Sequence, residues 1–373
     1  MSKIQYLAIY LPQYHPIPEN DEWWGKGFTE WTNVTKAKPL FKGHYQPILP
    51  ADLGFYDLRV AETQEEQAKL AKQYGIDGFI YYQYWFGNKK MLLEKPAENM
   101  LKNDKIDIPF CFCWANETWK GIWHGLKESA VLIEQVYPGK QDYIDYFNYL
   151  LPFFQDKRYI MVDGKPMFYI YKIKDIPDLD LFLSTFNDLA KENGFAGIHF
   201  ISIGYPDLSI VKDDDRVFGA VASDSFNKIR YNYDPFFSNR TLRHYELRLK
   251  KKIGYTDNVI HRKRPLIIDY KRVAEELIVQ INNPKIIPCA VPNWDNSARS
   301  GNKSMVFHNA TPERWEKYLE KIVTELKKHP ENPQLVVIKS WNEWAEGNYL
   351  EPDRKYGHQW LQAVLNVKTR NNA

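Results

Sequence analysis

Two glutamates, Glu343 and Glu346, are the residues of this chain whose types and spacing could do chemistry. They lie five and eight positions after the end of the apolar run Leu335–Ile338, among two tryptophans, Trp341 and Trp344. A continuous apolar run is typical of a strand buried on both faces, and chemistry in parallel α/β folds gathers where such strands end. Glycosidic-bond chemistry needs paired carboxylates, and tryptophan offers a flat apolar face with a polar edge. The segment therefore predicts a site that acts on glycosidic bonds.

Tyrosine, tryptophan, asparagine and carboxylate residues recur where other predicted strands end. Since strand ends converge on one mouth in a closed barrel, we expect one shared pocket in which Glu343 and Glu346 are catalytic. The predicted substrate-binding residues are Tyr14, His15, Trp31, Tyr82, Trp85, Trp114, Asn116, Glu117, Trp294, Trp341, Asn342 and Glu351.

These residues also have purely structural interpretations. Each tryptophan could pack under a loop, each asparagine could cap a turn, and early carboxylates favour a helix N-terminus. Glu351 is either structural or a ligand for a sugar hydroxyl. Glu117 is a third catalytic candidate, because Asn116-Glu117 repeats the pair Asn342-Glu343.

Strand-like and helix-like segments alternate along the whole chain. Apolar runs predict strands at Ile4–Tyr10, Ile76–Tyr84, Ile108–Trp114, Pro166–Tyr171, Gly197–Ile203, Val217–Ser223, Ile286–Val291 and Leu335–Ser340. Helical patterns predict helices at Gln64–Tyr74, Tyr143–Phe154, Leu179–Glu192, Thr311–Lys328 and Gln359–Val367. Alternation of this kind implies a parallel sheet. We therefore predict an α/β fold, a single (β/α)₈ TIM-type barrel over residues 1–373, with long βα-loop insertions such as Gln13–Asp57 at the mouth.

Composition narrows the classes of function. The net charge of +3 gives no overall nucleic-acid footprint, and three cysteines favour a reducing compartment over a disulfide framework. Residues 1–16 lack a long apolar core and a small-residue cleavage site, which predicts a first strand and a cytoplasmic protein. We find no metal-ligand spacing, phosphate loop or dinucleotide fingerprint, so we predict no metal and no cofactor. The basic stretch Arg240–Arg264 is either a solvated surface or a peripheral contact with a membrane or a lipid-linked glycan.

Five motifs are similar to those of a known family. They are Leu11–His15, Trp23–Trp31, Leu53–Leu58, Trp114–Trp119 and Trp341–Gly347. The chain resembles the WbsX family of bacterial surface-polysaccharide gene clusters, which is glycoside hydrolase family 99-like. The resemblance covers most of the chain and implies a (β/α)₈ barrel that acts on an oligosaccharide or polysaccharide in O-antigen or capsule metabolism.

The distant likeness to the retaining endo-α-mannosidases of family 99 also implies roles for the glutamates. Glu343 would deprotonate the sugar 2-hydroxyl to form a 1,2-anhydro sugar. Glu346 would protonate the leaving oxygen and later activate water. Ala345 stands where those hydrolases commonly have histidine, so the resemblance does not fix an α-mannoside as the substrate.

Two other interpretations remain open from the sequence. The barrel could bind glycans without catalysis, or Glu117 and Glu343 could form the carboxylate pair of a retaining glycosidase. Hydrolysis and transfer differ only in whether water or a sugar hydroxyl meets the intermediate, so the sequence predicts either a glycosidase or a glycosyltransferase.

Overall fold

The first and the last of eight parallel strands pair with each other, which closes the sheet into a barrel. The computed structural model of the chain describes residues 3–121, 131–203, 208–221, 229, 233, 264–276 and 284–372. Among these residues the barrel strands are β1 (Gln5–Tyr10), β2 (Gly78–Trp85), β3 (Phe110–Trp114), β4 (Lys165–Ile170), β5 (His199–Ser202), β6 (Val217–Val221), β7 (Ile286–Ala290) and β8 (Leu335–Ile338). Every neighbouring pair runs parallel. The predicted barrel is confirmed, and each predicted strand overlaps an observed one.

Helices connect these strands on the outside of the barrel. They are α1 (Pro18–Trp24), α2 (Glu30–Lys36), α3 (Ala61–Gln73), α4 (Lys95–Lys102), α5 (Lys140–Phe154), α6 (Leu179–Glu192), α7 (Leu208–Asp213), α8 (Tyr270–Glu276), α9 (Ser297–Ser300), α10 (Pro312–Leu326) and α11 (Gln359–Asn372). Two helix starts follow directly from side-chain caps. Asp178 accepts a hydrogen bond from the Leu181 backbone N–H at 2.9 Å, and the Thr311 hydroxyl accepts one from the Arg314 N–H at 3.4 Å.

Short strands and 3₁₀ helices lie outside the eight barrel strands. The minor strands are Met91–Leu92, Trp119–Lys120, Val131–Ile133, Met161–Val162, Leu266–Asp269, Met305–His308, Asn342–Glu343 and Asn348–Tyr349, and the 3₁₀ helices are Ile173–Asp175, Gly301–Lys303 and Trp344–Glu346. Leu266–Asp269 and Met305–His308 are as long as β5 and β8, but they pair with each other and not with the barrel.

Aromatic side chains fill much of the space between the barrel and its helices. Phe112 of β3 meets Phe153 of α5 edge-on at 4.9 Å between ring centroids, and Phe168 of β4 contacts Phe186 of α6 at 5.8 Å. These side chains are buried. A large share of the aromatic content therefore builds the core.

The insertion between β1 and α3 packs against the segment that follows β8. The Ala51 backbone N–H donates to the Pro352 carbonyl, and the Arg354 N–H donates to the Leu49 carbonyl. Trp31, in α2, lies 5.8 Å from Trp344 between ring centroids. The insertion and the glutamate segment therefore lie at the same end of the barrel.

Among the residues described, none of the helices combines the length and the apolar character that a membrane crossing requires. Residues 240–263 of the basic stretch lie outside the described residues, so its predicted contact with a membrane or lipid-linked glycan stays a prediction.

Candidate active site

Glu343 and Glu346 lie on a short hairpin that follows β8. Its two arms, Asn342–Glu343 and Asn348–Tyr349, pair antiparallel, and the 3₁₀ turn Trp344–Glu346 joins them. The hairpin therefore fixes the spacing of the two glutamates by its own backbone hydrogen bonds rather than leaving them on an open loop.

The end of β7 holds one side of this hairpin. The Asn293 Oδ1 accepts a hydrogen bond from the Tyr349 backbone N–H at 3.0 Å, and the Asp295 N–H donates to the Glu346 carbonyl at 2.7 Å. Glycine at position 347 lets the hairpin backbone lie this close to Asp295. A Cβ there would be only 2.8 Å from the Asp295 Cβ and 2.9 Å from the Asp295 carbonyl oxygen. Its φ of 53° also favours glycine.

The end of β1 holds the other side. Asn342 Oδ1 accepts from the Leu11 backbone N–H at 2.7 Å, and Asn342 Nδ2 donates to the Leu11 carbonyl at 3.0 Å. The Tyr14 hydroxyl donates to the Asn342 carbonyl at 2.5 Å and accepts from the Trp344 N–H at 3.1 Å. Tyr14 and Asn342 thus position the glutamates, although the sequence predicted that they contact the substrate.

One guanidinium group joins three carboxylates in the site. Arg299, on α9, donates from Nη1 to Glu346 Oε1 at 2.8 Å, from Nη2 to Glu343 Oε1 at 3.1 Å and from Nε to Glu30 Oε2 at 3.1 Å. Lys339, the residue after β8, adds a second cation at 3.2 Å from Glu343 and 3.8 Å from Glu346. The glutamates therefore lie in a compact cluster of alternating charge.

The surroundings shift the pKa values of the two glutamates in opposite directions. Burial alone would raise the pKa of Glu343, but Lys339 and Arg299 outweigh burial and hold this pKa below its ordinary value. For Glu346, burial together with the Glu343 charge raises the pKa above its ordinary value, against the opposing effect of Arg299 and Lys339. Of the pair, Glu346 thus holds its proton more tightly than Glu343 does.

A cleft opens beside these glutamates. Among the described residues it is lined by Leu11, Gln13, Glu30, Tyr82, Tyr84, Ala115, Glu117, Thr118, Trp119, Lys120, Leu132, Tyr171, Arg299, Lys339, Glu343 and Glu346. Its volume of about 130 Å³ is about ten times what one water molecule needs. The wall combines aromatic faces with a few charged groups, the mixture that small polar ligands require.

Of the predicted site residues, Tyr82, Glu117, Glu343 and Glu346 line this cleft. Tyr82 meets Tyr171 edge-on at 6.0 Å between ring centroids. Glu117 pairs with Lys172 at 2.5 Å. Glu343, Glu346 and Glu117 therefore line the same cleft, although the first two follow β8 and Glu117 follows β3.

Most of the other predicted residues are buried and do not line the cleft. They are Tyr14, His15, Trp31, Trp85, Trp114, Asn116, Trp341, Asn342 and Glu351. The indole N–H groups of Trp31, Trp85 and Trp114 donate to protein oxygens at 2.8, 2.9 and 2.9 Å. Asn116 Nδ2 donates to the Lys172 carbonyl at 2.8 Å. The structure places these side chains behind the cleft wall, and their contact with a substrate stays a prediction.

Trp294 has a different surrounding. Its half-buried ring lies 5.6 Å from Lys339 Nζ, next to the charged cluster. It lines a second cavity of about 170 Å³ together with His44, Tyr45 and Tyr356. The structure therefore places Trp294 beside the cluster but not on the wall of the cleft.

Three charged residues of the cluster were not predicted as site residues. Lys339 lies in the same segment as Glu343, and Glu30 lies inside the motif Trp23–Trp31. Both could therefore have been predicted from the motifs that contain them. Arg299 follows no buried strand directly and has no local pattern that marks it. Within the part of the chain that the structure describes, no group of three or more His, Cys, Asp or Glu side chains is arranged to hold a metal ion.

Glu351 is a buried carboxyl with three hydrogen-bond donors. Tyr56 donates to it at 2.8 Å, Gln67 at 2.6 Å and Trp344 at 2.6 Å. Burial outweighs these hydrogen bonds and raises the pKa of Glu351 to about 7. Glu351 thus holds the hairpin through its hydrogen bond with Trp344 and does not line the cleft.

We expect Glu351 to make the free energy of unfolding depend on pH. Its folded-state pKa is raised from 4.5 to about 7, so its contribution is present below pH 4.5 and is lost as the pH rises to 7. The full change is about 3 kcal/mol. Urea unfolding of the wild type between pH 5 and pH 8 should show this fall, and Glu351→Gln should lack it. Equal slopes in both proteins would contradict the assignment.

The sequence comparisons identify relatives over nearly the whole chain. The family described as glycosyltransferase WbsX matches residues 6–364. Two curated relatives, each described as uncharacterized protein WxcX from Xanthomonas campestris pv. campestris, are 35% identical over 366 residues, which is 98% of this chain. The match covers 49% of each relative, so the chain spans about half the length of the curated relatives it matches.

Solved structures share the barrel. The GH99 endo-α-mannosidase from Bacteroides thetaiotaomicron has a TM-score of 0.54 and 13% identity over 99% of this chain and 97% of its own. A structure described as a glycoside hydrolase-like protein has a TM-score of 0.57 and 13% identity over 98% of this chain and 94% of its own. At this identity the likeness shows the fold alone.

Proposed function

Since the chain belongs to the WbsX family, we propose that it cleaves or transfers a glycosyl unit with retention of configuration, with Glu343 and Glu346 as its catalytic pair. The family and the barrel support the broader statement that it is a carbohydrate-active enzyme. We also propose that its substrate is an oligosaccharide or polysaccharide of the O-antigen or capsule type and that it acts in the cytoplasm.

The observation that carries this proposal is that two adjacent carboxyls have pKa values shifted in opposite directions. Arg299 contacts both Glu343 and Glu346, yet the pKa of Glu343 is lowered and that of Glu346 is raised, for the reasons of burial and charge given above. Paired groups whose pKa values are pushed apart are typical of an acid and its partner base. A barrel that only binds glycans has no need of such a pair.

In the first half of the proposed reaction a 1,2-anhydro sugar forms. Glu343 takes the proton of the sugar 2-hydroxyl while that oxygen attacks the anomeric carbon. The bond from the anomeric carbon to the leaving oxygen breaks, and Glu346 gives its proton to that oxygen. Both oxygens of Glu343 already accept from Arg299 and Lys339, but each keeps a second lone pair for the hydroxyl.

In the second half an acceptor opens the strained epoxide, and the bond between the anomeric carbon and the 2-oxygen breaks. Glu346, now ionised, takes a proton from water or from a sugar hydroxyl, and that oxygen attacks the anomeric carbon. The 2-oxygen recovers its proton from Glu343, and the enzyme returns to its starting state. Two inversions at one carbon give net retention, and the identity of the acceptor decides between hydrolysis and transfer.

The aromatic wall supports a sugar as the ligand. Trp119 is half-buried and is held edge-on by Tyr84 at 5.1 Å and by Phe86 at 5.6 Å between ring centroids. A ring fixed in this way presents its surface to the cleft without needing to be ordered on binding, which reduces the entropic cost of association.

The proposal is tested with a panel of aryl glycosides and of oligosaccharides from bacterial surface polysaccharides. Proton NMR would follow the release or transfer of a sugar and the configuration of the first-formed product. We expect retained configuration with at least one member of the panel, and no product with Glu343→Gln. Inverted product would contradict the proposed chemistry, and saturable binding without turnover would favour the non-catalytic barrel.

A further inference from the structure

All three nitrogens of the Arg299 guanidinium contact carboxylates, and one of these carboxylates is remote from the reacting pair in sequence. Glu30, the first residue of α2, accepts from Arg299 Nε at 3.1 Å. The guanidinium is planar and has a fixed fork of donors. A carboxylate on its Nε edge therefore restricts the direction in which Nη1 and Nη2 point.

The side chain of Glu30 is itself fixed. It is 0% exposed, and its Oε2 also accepts from Asn33 Nδ2 at 3.4 Å. Its Oε1 is buried and has no hydrogen-bond partner among the described residues. An unpaired oxygen on a buried carboxylate is costly, so stability alone gives a poor account of a glutamate at this position.

We propose that Glu30 is a positioning residue, which holds the Nε edge of Arg299 so that Nη1 and Nη2 each reach one oxygen of Glu346 and Glu343. The inference rests on the proposed roles of those two glutamates and adds a third carboxylate, which lies on the cleft wall and acts through Arg299. α2 packs against both α9 and the turn Trp344–Glu346, so it is well placed to carry this contact.

The charge of Glu30 completes the cluster. With Glu346 protonated, the carboxylates of Glu30 and Glu343 balance the cations Arg299 and Lys339. Removing the Glu30 charge leaves an excess positive charge, which favours ionisation of Glu346. The groups that face Glu346 are Glu343, Arg299, Lys339 and Glu30, together with the Tyr82 hydroxyl. Burial is the main cause of the raised pKa of Tyr82, followed by Glu343, and Glu346 contributes least.

The test measures protonation directly and does not need a known substrate. Protein labelled with ¹³C at the glutamate carboxyl carbons would be titrated by NMR, with the Glu343 and Glu346 signals assigned by Gln substitution. In Glu30→Gln the proton affinity of Glu346 should fall about tenfold, the size expected when one neighbouring charge is lost. Glu30→Asp keeps the charge but withdraws the oxygen from Arg299. Because Arg299 opposes protonation of Glu346, loosening it should raise the proton affinity of Glu346 instead. The exposed Glu22 provides the matched control, Glu22→Gln, which should change nothing.

The outcomes separate positioning from stability. An unchanged proton affinity of Glu346 in folded Glu30→Gln overturns the proposal, even if that variant unfolds more easily. If Glu30→Gln does not fold, Glu30→Asp decides in the same way. Once a substrate is known, the alkaline limb of the pH–rate profile should move to lower pH in Glu30→Gln. Absence of turnover in every protein would count against the proposed function but leaves the titration result intact.

Discussion

Glu343→Gln is expected to reduce turnover by at least about 10²–10⁴-fold while the protein stays folded, because general acid–base help is worth about that much for each group. The amide keeps the shape of the side chain but cannot take the proton of the sugar 2-hydroxyl. It also removes the charge that pairs with Lys339 and Arg299. Initial rates on a substrate from the panel, together with circular dichroism, would measure the effect.

A glutamate on the outer surface provides the control for this substitution. Glu325 lies on α10 and pairs with Lys328 at 2.7 Å, so Glu325→Gln removes the same charge without touching the cleft. It should keep full activity. Retention of near-native rates by Glu343→Gln on an authentic substrate would show that the hairpin motif is structural.

Glu346→Gln is expected to lose turnover to a similar degree, but the loss should depend on the leaving group. The raised pKa of Glu346, caused by burial and by the Glu343 charge, suits a group that protonates a poor leaving oxygen. An aryl glycoside with an activated leaving group needs little protonation, so the first half-reaction should be partly rescued in Glu346→Gln and not in Glu343→Gln. Burst and steady-state rates on a series of aryl glycosides would separate the two.

The double variant provides a second comparison. In the proposed reaction both residues serve one transition state, so the combined loss should be smaller than the product of the separate losses. A loss in Glu346→Gln that is independent of the leaving group would remove Glu346 as the acid. Glu117, which lines the same cleft and pairs with Lys172, then becomes the carboxyl to substitute.

The barrel could be predicted because its strands leave a local pattern. Runs such as Leu335–Ile338 are apolar throughout, since both faces of a parallel barrel strand are covered, and every such run became a strand. The bounds differ by a residue or two where a run continues beyond the ladder, as at Ile76, which lies before β2. Pattern and fold agree because burial acts on each residue of the strand separately.

The site was only partly predictable, for two physical reasons. Tryptophan and asparagine at a strand end look alike in sequence whether they face a ligand or bind the protein backbone. Here Trp114 donates to the Trp85 carbonyl and Asn342 to the Leu11 carbonyl. The contact between Arg299 and Glu30 joins residues 269 positions apart, and no local spacing records such a pair. Distant charges that meet only in the folded chain are therefore the part of a site that sequence patterns miss.

The contacts that hold the glutamate hairpin to the ends of β1 and β7 make the site form late in folding. Asn342 binds the backbone of Leu11 across 331 positions of sequence, and this contact sits where β1 meets β8 and the barrel closes. Contacts of such separation form slowly, because a long loop must be ordered first. A nascent chain holds most of its core residues before it has synthesised either glutamate. Recovery of turnover during refolding would therefore report barrel closure rather than collapse, and catalysis would serve as the kinetic probe for the final step.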